Sequence, residues 1–122
     1  MTVTPRQREK LESIGYRVRR TSNLLWDACS PNAKLEETGG VGEECYRTED
    51  DALAACWAHC SSPEGMILTH SDKERWLCDN GWAISVWRNP SGFSAEASMR
   101  GKFVHADGFP PVAIHSLFEK VP

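Results

Sequence analysis

The residues around Gly15 and Gly81 constrain this chain most, because the same short pattern surrounds both. The first copy reads Thr4-Pro5, Glu9, Leu11, then Gly15-Tyr16-Arg17-Val18; the second reads Ser71, Arg75, Leu77, then Gly81-Trp82-Ala83-Ile84. Each start leads through a polar hairpin-like stretch to an apolar segment at helical spacing. There, Leu53, Cys56, Trp57 and Cys60 are matched by Ile114, Leu117, Phe118 and Val121. A supersecondary unit present twice sets the architecture before any single residue is interpreted.

Local signals give the order of elements in each copy. Thr4 can cap a helix, Pro5 suits its first position and Gln7 completes a capping box. Gly15 is a left-handed stop, and Tyr16 with Val18 begins an alternating strand. A second strand is expected over 24–29, a loop over 32–42 around Gly39-Gly40-Val41-Gly42, a third strand over 43–47, and a helix from Thr48 through Cys60. In the second copy, Ser71-Asp72-Lys73-Glu74 reads as a capping box, with a stop at Asn80-Gly81. Strands over 82–86, 93–97 and 102–105 follow, the first two joined by a turn at Asn89-Pro90-Ser91-Gly92. Pro110-Pro111 opens the last helix. The expected fold is α+β: a tandem duplication of an α-β-β-β-α unit, each with a three-stranded antiparallel sheet covered by helices. Residues 1–60 form the first copy, 61–68 a linker, and 69–122 the second copy. Units of about 60 residues bury only roughly 60% of their unfolded surface, so the two copies are expected to pack together.

Composition narrows the class. Apolar residues at 40% and charged residues at 25% belong to a soluble globular chain. A net charge of −3 argues against a dedicated nucleic-acid binder. Five cysteines, an odd number without framework spacing, fit free thiols in a reducing cytoplasm. No apolar run approaches spanning length, and Met1-Thr2-Val3-Thr4 resembles no targeting segment, so no membrane association is expected.

Three groups of residues invite a chemical reading. Cys56, His59 and Cys60 share a helix face and could converge on zinc with Cys29 or Cys45. Against this, Cys56 and Cys60 occupy the stripe that Leu117 and Val121 fill in the second copy, and buried Cys serves as a small hydrophobe. His105 and Asp107 could form an acid–base pair, but a solvated turn accounts for them. The glycines at 39, 40 and 42 lack the Lys and Ser/Thr of a phosphate loop. No catalytic residue, cofactor or metal is therefore expected.

The surface candidates are different in kind. Trp87-Arg88 has the composition of an interface hot spot, and strand alternation sends Trp87 away from the core. Its alternative role is burial under the other copy. Arg6, Arg8, Lys10, Arg17, Arg19 and Arg20 make the basic cluster of the chain, and its alternative is a solvated face. The expected partner-binding residues are Trp87, Arg88, Arg17, Arg19 and Arg20.

The α-β-β-β-α order is similar to double-stranded-RNA-binding domains, in which basic residues at the start of the last helix would meet phosphate. Here those positions carry Thr48-Glu49-Asp50-Asp51 and Gly108-Phe109-Pro110-Pro111, so nucleic acid is the alternative partner, through Arg17 and Arg19. The opening Thr4-Pro5-Arg6-Gln7-Arg8-Glu9-Lys10-Leu11 with Gly15-Tyr16, together with Thr48-Glu49-Asp50-Asp51-Ala52-Leu53, resembles short accessory proteins of phages and prophages, anti-CRISPR inhibitors among them. That resemblance implies a non-catalytic protein that occupies a host protein or complex in the bacterial cytoplasm. It leaves the target, the oligomeric state and the packing of the two copies open.

Overall fold

Helix caps and glycine stops organise the first unit of the chain. The structure, a computed structural model, describes residues 2–21, 24–31 and 46–122. It is α+β, with antiparallel sheets of two and three strands, and it divides into two units, Met1–Ser62 and Pro63–Pro122.

In the first unit, helix α1 (Pro5–Ser13) opens with a complete capping box. The Gln7 N–H donates to Thr4 Oγ1 at 3.1 Å and the Thr4 N–H donates to Gln7 Oε1 at 2.9 Å, so two end donors are satisfied reciprocally. Gly15, at φ +102°, turns the chain out of the helix, and the Tyr16 N–H donates back to the Leu11 carbonyl at 3.0 Å. Strand β1 (Arg17–Arg20) then pairs antiparallel with β2 (Trp26–Cys29). The loop expected over 32–42 and residues 43–45 of the expected third strand lie outside the described residues. Tyr46 is described, and it bridges Trp26 through two backbone hydrogen bonds of 2.7 Å. Helix α2 (Glu49–Cys60) is capped by Thr48, whose Oγ1 accepts from the Asp51 N–H at 3.1 Å, and the acidic first turn complements the helix dipole. Its apolar stripe, Leu53, Cys56, Trp57 and Cys60, is buried, as are Leu11, Ile14, Tyr16 and Ala28.

The second unit begins with a helix where a linker was expected: α3 (Pro63–Leu68) occupies most of 61–68. Pro63 stands at its first position and Glu64 in its first turn, which favours helix over coil. The Thr69 N–H and hydroxyl both donate to the Gly65 carbonyl, at 3.0 and 2.6 Å, and the Thr69 carbonyl accepts from the Lys73 N–H at 2.9 Å. Helical hydrogen bonding thus carries across into α4 (His70–Asp79). The expected capping box at Ser71 is absent for that reason, since Ser71 already lies inside α4.

Asn80 and Gly81, at φ +89°, end α4, and the Trp82 N–H donates to the Leu77 carbonyl at 3.0 Å. Strands β3 (Ala83–Asn89), β4 (Gly92–Met99) and β5 (Lys102–Asp107) form a meander in that order. Asn89 pairs with Gly92, leaving Pro90-Ser91 as a two-residue turn. Helix α5 (Pro110–Lys120) packs on β4, β5 and α4. Ala95, Ala97 and Ala106 allow that close approach, and Ala113, Ile114, Leu117 and Phe118 are buried on the helix. The Trp76 and Phe118 rings meet edge to face, 5.1 Å apart at 77°.

Candidate functional site

Side chains alternate across a sheet, so the pairing of β3, β4 and β5 sorts the strand residues onto two faces. The helices cover the face of Ala95, Ala97 and Ala106. The opposite face holds three cross-strand rows: Ala83–Ser98–Phe103, Ser85–Glu96–His105 and Trp87–Ser94–Asp107. These rows contain two carboxylates and no Lys or Arg. Trp87 is 41% exposed and Phe103 68% exposed.

A hydrogen-bond chain stiffens one end of this face. Asn89 Nδ2 donates to Ser94 Oγ, and Ser94 Oγ donates to Asp107 Oδ1 at 2.6 Å. His105 Nε2 meets the same Oδ1 at 3.0 Å, and an ionised carboxylate only accepts, so Nε2 carries the proton. The bonds from Ser94, first, and from His105 hold the Asp107 carboxyl below its ordinary range. The Trp87 and His105 rings lie 5.9 Å apart, so the indole borders this chain.

The sequence-based candidates distribute unevenly over the structure. Trp87 lies on the open face as alternation required. Arg88 projects to the other side of β3, because neighbours in a strand point to opposite faces, so the two do not form one contact pair. His105 and Asp107 sit on β5 and share a face two residues apart, where a turn was expected, because β5 runs on to Asp107. Ser94 and Glu96 escaped sequence reading. The signal for them was the cross-strand register, which the turn at Asn89-Pro90-Ser91-Gly92 sets.

In the first unit, Arg19 pairs with the buried Asp27 at 3.2 Å, and the Arg20 guanidinium lies over the Trp26 ring, 5.9 Å from its centroid. Arg8 bonds Glu12 at 3.0 Å and also Glu49. Arg17 is exposed and has no ion-pair partner among the described residues. A cavity of about 300 Å³ lies between α1, β1 and α2, with Arg8, Arg17 and Arg19 among its lining.

The cysteine cluster is buried. Burial pushes the Cys56 thiol up to about 12, and Cys29 and Cys60 beside it add to the rise. Cys60 Sγ donates to the Trp57 carbonyl at 3.3 Å, and His59 Nδ1 lies 2.6 Å from the hydroxyl of the buried Tyr16. Among the described residues, no group of three or more His, Cys, Asp or Glu is placed to hold a metal ion. Cys45 lies outside them. No helix among the described residues is long and apolar enough to cross a membrane. Compared with known proteins, the chain matches no protein-family model, no curated protein and no solved structure.

Proposed function

We propose that this chain is a non-catalytic protein-binding module, and that the open face of β3, β4 and β5 is its contact surface. The observation that carries the reading is Trp87, half exposed on a rigid strand, in a face holding Glu96 and Asp107 and no Lys or Arg. An exposed indole on a fixed backbone supplies contact area at little entropic cost. Charge complementarity sets the partner's chemistry: a basic protein segment, with an Arg or Lys side chain lying on Trp87 and its charge toward Glu96 or Asp107. A phosphate backbone would be repelled by the same two carboxylates.

The Ser94–Asp107–His105 chain supports the non-catalytic half of the proposal. A nucleophilic hydroxyl needs a base that takes its proton and a third group that orients the base. Ser94 instead donates to a carboxylate that His105 already shares, and that carboxylate is a weak base. Arrangement of this kind orders side chains on a surface.

The proposal includes a tandem duplication. The parallel corners at Gly15 and Gly81 support it, as do the bridge at Tyr46 where the second unit has a third strand, and the buried stripes of α2 and α5. On the resemblance to phage accessory proteins, the partner is a bacterial host protein or complex, and the chain acts as an inhibitor by occupying it, in the manner of anti-CRISPR proteins. The alternative, a nucleic-acid module using Arg17 and Arg19, draws less support, since Arg19 is already paired with Asp27. The test is retention of a protein partner by the chain and by its Trp87→Ala and Glu96→Arg variants, with duplex RNA and DNA as competitors. Loss on either substitution and indifference to nucleic acid are expected.

A further inference from the structure

We infer that the cavity between α1, β1 and α2 is a binding site for a small apolar monocarboxylate, with Arg17 as its anion-binding residue. The site is separate from the sheet face proposed for protein binding. At about 300 Å³ the cavity is at the small end of the range for ligand pockets. Its floor is apolar: Leu11, Tyr16, Leu53 and Cys56 are all buried. The Cys56 thiol stays neutral there, so it adds apolar surface and no charge.

The charges around the cavity decide where an anion would sit. Arg8 is held between Glu12 and Glu49, and those two carboxylates make that end unfavourable for a further negative charge. Arg19 is paired with the buried Asp27. Arg17 alone among the lining arginines has no carboxylate partner among the described residues. It extends from the first position of β1, directly after the fixed Gly15 corner. A planar guanidinium matches a carboxylate with two parallel hydrogen bonds, while the apolar body of the ligand fills the floor. A dianion or a phosphate ester would meet Glu12 and Glu49, which limits the class to monoanions.

The experiment uses the full chain, with octanoate as the charged probe and octanamide as its neutral counterpart, followed by amide chemical-shift perturbation. Octanoate is expected to perturb residues around Leu11, Arg17 and Leu53, and to bind at least tenfold more tightly than octanamide. Arg17→Gln should remove that tenfold preference and leave octanamide binding unchanged. Arg20→Gln, which lies outside the cavity lining, should leave both unchanged. Because Arg17 is exposed, its replacement is not expected to disturb folding, and an unchanged spectrum away from β1 checks this. Equal binding of the two probes, an undiminished octanoate affinity in Arg17→Gln, or no perturbation of these residues at 10 mM probe (on the order of the weakest affinity such a small ligand would show) would overturn the inference.

Discussion

Gly15 and Gly81 turn two helix–strand corners in the same way. Both are in the left-handed region, at φ +102° and +89°, and in both the following residue, Tyr16 or Trp82, sends its N–H back to a leucine carbonyl, Leu11 or Leu77, at 3.0 Å. The aromatic side chain after each glycine is buried, so each corner fixes a strand's direction and plants a core residue in one step.

Substitution of these glycines tests the corners. A side chain at positive φ costs about 1 kcal/mol or more. At Gly15 a Cβ would also meet Pro31 Cβ at 3.1 Å, whereas at Gly81 the nearest atom is Met99 Sδ at 3.3 Å, on a flexible side chain. Urea unfolding should show Gly15→Ala to be the more destabilising of the two, at about 2 kcal/mol against about 1.

Removal of the Ser94 hydroxyl should release Asp107. In Ser94→Ala the larger of its two supporting hydrogen bonds is gone, and the carboxyl should titrate closer to the ordinary value of 3.8. A carboxyl depressed in the folded state contributes stability above its unfolded pKa and loses it as pH falls through the folded value. The acid side of the pH–stability curve should therefore be shallower in Ser94→Ala. Carbonyl-detected NMR titration of Asp107 measures the shift directly.

Thiol chemistry separates Cys78 from the buried cysteines. Cys78 is exposed, whereas Cys29, Cys56 and Cys60 are buried. Among these four, a maleimide at pH 7 should label Cys78 first, as read by peptide mass spectrometry. With Cys56 raised from 9.0 to about 12, the unfolded thiol ionises before the folded one. Stability is then fully present below pH 9 and falls by up to about 1.4 kcal/mol per pH unit between pH 9 and about 12, as urea unfolding across that range would show.

Cys60 and Val121 are both buried, at 0% and 1% exposure. Cys60→Val adds a methyl group's volume at a fully buried site and removes the Sγ donor to the Trp57 carbonyl, so it should cost about 1–3 kcal/mol in urea unfolding. Leu117→Ala, which empties a fully buried site, should cost about 2–5 kcal/mol in the same assay.

Much of the fold was legible because its signals are local. Thr4 with Gln7, Thr48 with the acids after it, Gly15, Gly81 and Pro110 each act within four residues of themselves, and each stands where the sequence placed it. The linker over 61–68 and the capping box at Ser71 were misread for one reason: helix begins earlier, at Pro63. Pro63 and Glu64 are helix-start residues, but Gly65 two positions on reads as a turn, and only the bonds from Thr69 back to the Gly65 carbonyl show that the helix passes through it. The open face was harder, since Trp87, Ser94, Glu96 and Asp107 come from three strands and only the pairing brings them together. Arg88 looked like Trp87's partner because adjacency in sequence hides the reversal of face between them.

Binding of a basic protein segment at the face around Trp87 is detected by carbodiimide cross-linking after affinity capture from a bacterial lysate. The chain should retain a stoichiometric protein partner, with Glu96 or Asp107 joined to one of its lysines. Trp87→Ala should weaken retention by about 2 kcal/mol, some thirtyfold. Glu96→Arg should abolish it while cooperative unfolding in urea is unchanged. Capture that survives both substitutions, or cross-links that avoid both carboxylates, would place the contact surface elsewhere on the chain.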